Sequence, residues 1–385
     1  MAVKRHVHAY FTATSQKEDI KWWALTWTYL YLRSVHCAVY RHKGVPIYLT
    51  RQVPAALFAR TQAQKYSLHL TQGRQKQTLI EALLLVRYQC HGSLIPLILQ
   101  VVLIMSHTYR LIVSCPDRVG IVARVSGFIA EQGGSILEAA QHSDVIENRF
   151  FMRYEIAFNC EADHLRREFA PIAEEFDMKW RLHDVAERPR VVVMVSKMAH
   201  CLVDLLYQNA TGELPGDIVA VISNHDDLRG MTEWHGIPFH HVAVDKDNKQ
   251  PAFDKVAALV DQYTCDTLVL ARYMQILPPV LCDRYRGRII NIHHSFLPSF
   301  VGARPYHQAY DRGVKLIGAT CHYVTEVLDA GPIIEQDIQR VTHTCLPDDL
   351  VRLGRDVERR VLSRGLHWHL EDRVLLNGNR TVVFG

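Results

Sequence analysis

The stretch Arg288-Ile289-Ile290-Asn291-Ile292-His293-His294-Ser295-Phe296-Leu297-Pro298-Ser299 decides the fold. Its first residues are apolar and β-branched, which predicts a buried strand, and polar residues follow where this strand ends. Asn291 and His293 stand at positions i and i+2, so both side chains leave the same face of the strand end. In open parallel sheets, ligands bind beyond the carboxyl ends of the strands. We therefore expect this stretch to place an amide and an imidazole at a binding site.

A second stretch supplies a carboxylate: His322-Tyr323-Val324-Thr325-Glu326-Val327-Leu328-Asp329. Asp329 ends an apolar run, and Ala330-Gly331-Pro332 turns the chain after it. Formyl transfer or formyl hydrolysis needs a donor for the developing oxyanion, a group that moves protons and a carboxylate that orients them or activates water. The alternative is a histidine-bearing turn without function, which is disfavoured because two long tracts stand in the right order.

Strands and helices alternate around the first stretch, after the polar linker at residues 186–189. This alternation is typical of an α/β fold with a Rossmann-like, mostly parallel sheet covered by helices on both faces. We expect such a domain at residues 190–385. Its predicted elements are strand Arg190–Val195, helix Ala199–Asn209, strand Asp217–Ser223, strand Phe239–Val242, helix Pro251–Tyr263, strand Thr267–Leu270, helix Pro278–Tyr285, strand Arg288–Asn291 and a last strand Thr381–Phe384.

A smaller domain is predicted ahead of it, at residues 105–185. Its order of elements is βαββαβ, which is the ferredoxin-like split βαβ motif. The predicted elements are strand Tyr109–Cys115, helix Val119–Gln132, strands Ser135–Gln141 and Arg149–Phe158, helix Ala162–Phe176 and strand Met178–Asp184. The turn Cys115-Pro116-Asp117-Arg118-Val119-Gly120-Ile121-Val122-Ala123 resembles that of an ACT domain, a module that commonly binds small effectors and pairs through its sheets. Whether this one senses a ligand or assembles subunits is left open by the sequence.

The two catalytic tracts resemble those of the formyltetrahydrofolate-using hydrolases and transferases, with Asn291, His293 and Asp329 on the family's three catalytic positions. The resemblance runs from Tyr109 to the C-terminus and is strongest to the formyltetrahydrofolate deformylase family. It implies hydrolysis of 10-formyltetrahydrofolate to formate and tetrahydrofolate. That reaction supplies formate for purine synthesis and balances the one-carbon folate pools.

Transformylase activity is the main rival within this class of enzymes. In the related glycinamide ribonucleotide transformylases, a glycine-rich loop after the first strand holds the substrate phosphate on its backbone N–H groups. Here that position reads Ser196-Lys197-Met198-Ala199-His200-Cys201-Leu202 and contains no glycine, so water is the natural acceptor. A methionyl-tRNA formyltransferase is disfavoured because no basic C-terminal RNA-binding domain follows.

We assign roles to the site residues from this resemblance. Asn291 donates to the formyl oxygen, His293 is a second donor or protonates the departing nitrogen, and Asp329 orients the water and relays its proton. The folate is expected against Met274, Gln275, Ile276, Leu277 and Val324, whereas His294 and His322 are expected to have supporting roles. No cofactor or metal is expected, because the 22 histidines are scattered and form no HExxH pair.

Residues 1–104 differ in composition from the remainder. They hold 13 Lys or Arg and three acids, giving +10, whereas the remaining 31 basic and 37 acidic residues give −6. Our interpretation is a non-native or disordered extension, translated from a wrongly chosen start codon ahead of Met105. A fused segment and a basic, aromatic nucleic-acid arm around Trp22, Trp23 and Trp27 are the alternatives. The apolar run Leu94–Met105 is too short to span a bilayer.

The remaining expectations concern location and partners. Nine cysteines without CxxC spacing indicate a reducing cytoplasm. We expect a homo-oligomer that takes a small-molecule folate substrate and no nucleic acid or membrane, with an amino acid as the candidate effector of the ACT domain. Two other classes are weighed against an enzyme: a catalytically inactive folate or amino-acid sensor, which the intact Asn291, His293 and Asp329 set disfavours, and a nucleic-acid-binding protein.

Overall fold

The computed structural model describes residues 39–42, 45–48, 107–299 and 305–385. The chain forms two compact units, Met1–Val102 and Leu103–Gly385. In the first, strands β1 (Val39–His42) and β2 (Val45–Tyr48) form an antiparallel pair. The expectation of a non-native or disordered extension over residues 1–104 otherwise lies outside the described residues.

The second unit begins with the predicted βαββαβ domain. Its four strands form an antiparallel sheet in the order β4-β5-β3-β6. Both helices bury an apolar stripe, which for α1 consists of Ile121, Val125, Phe128 and Ile129. The elements are β3 (His107–Pro116), α1 (Ile121–Glu131), β4 (Ser135–Asp144), β5 (Arg149–Phe158), α2 (Ala162–Glu175) and β6 (Lys179–Asp184).

A mostly parallel sheet with helices on both faces follows, as predicted, and it has seven strands. Its order is β13-β12-β11-β10-β7-β8-β9, and β12 alone runs opposite to the rest. Its elements are β7 (Arg190–Val195), α3 (His200–Thr211), β8 (Asp217–Ser223), α4 (Arg229–Trp234), β9 (Phe239–His241), α5 (Gln250–Gln262), β10 (Thr267–Leu270), α6 (Pro279–Arg284), β11 (Ile289–His293), α7 (Pro305–Asp311), β12 (Leu316–Tyr323), β13 (Ile333–Arg340) and α8 (Pro347–Leu370).

Several predicted bounds were wrong by one to three residues. The strand expected at Arg288–Asn291 is Ile289–His293, because its ladder with β12 continues to His293. The last strand, expected at Thr381–Phe384, is β15 (Arg380–Val383) and pairs with β14 (Val374–Asn377). In the described ranges, no helix combines the length and apolar character needed to cross a membrane.

Alternation along β11 separates the core from the site. Ile290 and Ile292 pack in the same cluster as Val361 and Leu366 of α8, on one face of the sheet. Ile289 belongs to the cluster on the other face. Side chains of a strand alternate between faces, so Asn291 and His293 project on the side of Ile289.

Candidate active site

The pairing of β11 with β12 places Asn291 directly opposite His322, and His293 opposite Thr320. His322 Nδ1 lies 2.9 Å from the carbonyl oxygen of Tyr323, which only accepts, so this nitrogen carries a proton. In a neutral ring, Nε2 then accepts from Asn291 Nδ2 at 3.1 Å. The second amide hydrogen of Asn291 remains for a ligand.

Asp329 lies in the loop at residues 324–332, with a left-handed φ of 54°. The loop folds back at its base, where Tyr323 N–H donates to the carbonyl of Pro332 at 2.9 Å. A side chain at Gly331 would overlap the carbonyl of Tyr323, so only glycine fits this close approach. The tight base and the left-handed turn direct Asp329 back toward β11.

Asp329 contacts both histidines of the strand pair. Its Oδ2 lies 3.2 Å from His293 Nδ1 and its Oδ1 lies 3.7 Å from His322 Nε2. Burial alone would raise the pKa of Asp329, but the interaction with His293 outweighs it and holds this pKa well below its usual range. Among the described residues, buried His293 Nε2 has no hydrogen-bond partner, so it is free to meet a ligand.

The segment that follows His293 is anchored to β12. Thr320 Oγ1 donates to the carbonyl of Ser295 at 2.9 Å and accepts from Leu297 N–H at 3.0 Å. The Leu297–Pro298 peptide is cis. These bonds fix the backbone just beyond the histidines and so limit where their rings can point.

Apolar side chains are exposed on two loops beside these groups. Met274 and Ile276 follow β10, which pairs with β11, whereas Val327 and Leu328 precede Asp329. Their exposure is 57%, 60%, 66% and 57%, which is high for such side chains and is typical of a ligand-binding surface. The first loop is held at its start, where Met274 N–H donates to Ser196 Oγ at 3.0 Å.

Comparisons with known proteins identify the family. The formyl transferase family model matches residues 189–366, and the ACT domain model matches residues 109–166. The chain is 50% identical over 281 residues to the formyltetrahydrofolate deformylase of Bacillus subtilis, which covers 71% of this chain and 93% of that protein. The chain belongs to the formyltetrahydrofolate deformylase family.

Other deformylases agree with this assignment. The Escherichia coli enzyme is 45% identical over 269 residues, covering 70% of this chain and 95% of its own. The crystal structure of a deformylase from Pseudomonas syringae pv. tomato shares 59% identity with a TM-score of 0.72, and the match covers 73% of this chain and 96% of that one. The fold and the family expected from the sequence are therefore confirmed.

Within this deformylase-family site, the structure brings Asn291, His293 and Asp329 together. His322, expected only to support the site, contacts two of them. The backbone near Val324 to Asp329 was expected to contact the pterin, but the exposed side chains of Val327 and Leu328 were not singled out. Two consecutive apolar residues on a loop, rather than in a strand, could have indicated them.

The five residues predicted to contact folate differ in exposure. Met274 and Ile276 are exposed, Gln275 and Val324 are half-buried, and Leu277 is buried in the core. Leu277 therefore anchors the loop through its side chain and offers a ligand at most its backbone.

One group of potential metal ligands occurs among the described residues of this deformylase-family chain: His200, Cys201 and Glu358, whose donor atoms lie within 4.8 Å of one another. Metal binding requires the thiolate, and burial raises the pKa of the Cys201 thiol well above its usual range. Arg272 Nε also lies 3.4 Å from Glu358 Oε2, where it competes with a cation. The donor set is therefore poorly suited to a metal.

Proposed function

We propose that this protein hydrolyses 10-formyltetrahydrofolate to formate and tetrahydrofolate, with Asn291, His293 and Asp329 acting on the formyl group. The convergence of the three side chains, in a chain of the deformylase family, carries this proposal. The reaction forms a bond from the water oxygen to the formyl carbon and breaks the bond from that carbon to N10. The proton lost by water ends on N10.

Asn291 stabilises the charge that develops on the formyl oxygen. Its Nδ2 has two hydrogens, of which His322 Nε2 takes one. The other is directed by that same contact and donates to the oxyanion. Such a fixed donor requires no reorganisation during the reaction, and removing one typically lowers the rate by about 100- to 1000-fold.

His293 moves the proton. Its Nδ1 faces the carboxylate of Asp329, so in a neutral ring Nδ1 carries the hydrogen and Nε2 carries the lone pair. Nε2 accepts the proton of the attacking water and delivers it to N10 as the C–N bond breaks. Asp329 stabilises the transient imidazolium and orients the water through its other oxygen.

The exposed apolar side chains accommodate the pterin. Met274 and Ile276 on one loop, with Val327 and Leu328 on the other, supply the faces of a cleft. Backbone groups of Gln275, Leu277 and Val324 supply the polar contacts that fix the ring's orientation, which is the usual division of labour in small-molecule sites. No cofactor has a role in this scheme.

Water is the acceptor. The segment Ser196–Leu202 lacks the glycines with which a backbone holds phosphate, and the side chains of Ser196 and His200 bind other parts of the protein. The test is to incubate the protein with 10-formyltetrahydrofolate alone and to measure formate and tetrahydrofolate. Formate should appear without an added nucleotide, and turnover that begins only when an amine is supplied would contradict the proposal.

Two variants connect this activity to the site. Asn291→Ala should lower the formate-release rate by about 100- to 1000-fold. Asn248→Ala, which removes an exposed amide from a turn, is the matched control and should behave as the parent protein does. Equal rates in the two variants would exclude Asn291 from catalysis.

Location and partners complete the proposal. Seven cysteines in the described part of the chain are free, and five of these are buried, as suits a cytoplasmic protein. Strand β4 forms an edge of the ACT sheet and is mostly exposed, so it offers its backbone to a second copy of the chain. An amino acid is the candidate effector of this domain, and sedimentation with and without amino acids tests both points.

A further inference from the structure

Glu358 of α8 is the centre of a buried polar cluster that the mechanism does not use. It is 1% exposed. His200 Nε2 lies 2.9 Å from its Oε2, and the hydroxyl of Tyr306 donates to its Oε1 at 2.7 Å. Arg272 Nε lies 3.4 Å from Oε2. These partners come from α3, α7 and the loop after β10, so one carboxylate joins three separate parts of the domain.

The cluster is closely packed, and the charge of Glu358 is compensated by that of Arg272. Gly354 precedes Glu358 by one helical turn, and a side chain there would overlap the Tyr306 ring. Burial alone would raise the pKa of Glu358, but the hydrogen bond with His200 and the charge of Arg272 outweigh it and lower this pKa. The Glu358 carboxylate is therefore ionised, both of its oxygens have protein partners, and the Tyr306 ring beside it is closely packed.

The cluster adjoins the catalytic histidine through His294. The ring of His294 lies 5.2 Å from that of His293 and 6.3 Å from that of Tyr306. Burial and the nearby charge of Arg272 lower the pKa of His294 to about 3, so it is neutral. Arg272 also begins the loop that carries Met274, and it adopts a left-handed φ of 65°. The cluster therefore borders the site at His294.

The segment Ser196–Leu202 is connected to the same cluster. Ser196 Oγ donates to Asn224 at 2.6 Å and accepts from Met274 N–H at 3.0 Å, while His200 binds Glu358. Transformylases use this position of the chain to hold their acceptor. Here the side chains of Ser196 and His200 contact protein partners instead of a ligand.

We propose that His200, Glu358, Tyr306 and Arg272 form a plug that closes the acceptor side of the active site and so restricts the formyl acceptor to water. This inference rests on the proposed hydrolase function. His200 is the member that opens the plug most directly, because it stands at the start of α3 with its side chain 15% exposed. His200→Ala removes the ring but leaves the catalytic set and the other partners of Glu358.

The test offers a small amine in competition with water. Protein, 10-formyltetrahydrofolate and excess glycinamide are mixed, and formate and N-formylglycinamide are both quantified. Transfer breaks the same bond to N10, forms a bond from the amine nitrogen to the formyl carbon, and moves the amine's proton to N10. The parent protein should give formate almost alone, whereas His200→Ala should raise the ratio of formylated amine to formate by at least about tenfold.

Controls separate the outcomes. His343→Ala, at an exposed position after β13, should keep the parent ratio. Tyr306→Ala reaches the cluster from another helix and should raise the ratio as His200→Ala does. The plug is refuted if the parent protein formylates glycinamide as readily as water, or if folded variants that bind a folate analogue keep the parent ratio. If the parent releases no formate without an amine, it is the proposed hydrolase function that fails.

Discussion

Asp329 keeps its charge in a half-buried position because the His293 ring lies 3.2 Å from it. A carboxylate moved out of water normally gains a proton, and its pKa rises. Here the contact with His293 reverses the direction, so the pKa of Asp329 lies below the usual range of a carboxyl and the group stays ionised. The same charge fixes the proton of a neutral His293 ring on Nδ1, which leaves the lone pair on Nε2.

Asp329→Asn separates this chemical role from a structural one. Asn keeps the shape and tolerates the left-handed φ, but it loses charge and basicity. We expect normal binding of a folate analogue and a formate-release rate lower by at least about 100-fold, the usual scale of general acid–base help. Formate release under saturating substrate and analogue binding by titration measure the two effects. Near-normal turnover would leave Asp329 as a turn residue only.

The sequence predicted individual site residues where local spacing was enough. Asn291 and His293 share a face because they are two positions apart in a strand, which is a local fact. The contact of His322 with Asn291 spans 31 positions, and that of Glu358 with His200 spans 158. Such pairs depend on strand register and on how a distant helix packs, so neither was predicted.

Helix α8 is the element that connects the site with the far end of the domain. Pro347–Leu370 carries Gly354 and Glu358 near the plug, and His369 in its last turn. His369 lies between the hydroxyls of Tyr323 and Thr267, at 2.8 and 3.0 Å. Since Tyr323 follows His322 in β12, the last turn of α8 contacts a residue next to the site. The alternating pattern predicted the parallel core but not this helix, β12 or β13, whose placement depends on tertiary packing.

Gly354→Ala tests the packing of α8 on Tyr306. Alanine favours helix by up to about 1 kcal/mol, but the new methyl group overlaps a buried ring, and overpacking typically costs about 1–3 kcal/mol. We expect a net loss of unfolding free energy in urea titration. Gly127→Ala in α1 has open space around its methyl group and should instead stabilise the protein by up to about 1 kcal/mol. Stabilisation by both changes would show that Tyr306 is loosely held.

His369→Gln tests the effect of this half-buried histidine on the pH dependence of stability. Burial lowers the pKa of His369 to about 4, so the folded ring stays neutral while the unfolded one, near 6.5, gains a proton as the pH falls. Stability is therefore lost below pH ~6.5, by about 2 kcal/mol between pH 7 and 5 for this group. Glutamine keeps a donor and an acceptor without titrating, so the variant should lose less stability over that interval. Unfolding titrations at both pH values measure the difference, which should be absent for exposed His343→Gln.

Across the second unit, the ACT domain and the catalytic domain share a polar and an apolar contact. Buried Arg153 of β5 donates to the carbonyl of Glu371 at 3.0 Å, and His183 of β6 lies 2.9 Å from Asp372. Beside them, Phe151 packs in one cluster with Leu375 of the C-terminal hairpin. Glu371 and Asp372 directly follow α8. The ACT sheet therefore contacts the chain directly after the helix that carries Glu358.

A chain that begins at Met105 should keep the activity of the full chain. Every described contact that builds the candidate site lies within residues 107–385, and the family models match from residue 109 onward. We expect formate release within about twofold of the full chain, which is a change of under about 0.5 kcal/mol in activation free energy. The unfolding midpoint should also be similar.

The charge of the shortened chain provides an internal check. Without the 13 basic and three acidic residues of the first 104 positions, its net charge changes from +4 to −6, so it should leave a cation exchanger that retains the full chain near neutral pH. An insoluble or inactive short chain, beside an active full chain, would show that residues 1–104 contribute to the enzyme. A short chain that is active and elutes early, as its lower net charge requires, would show that all catalytic residues lie in the unit that begins at Leu103.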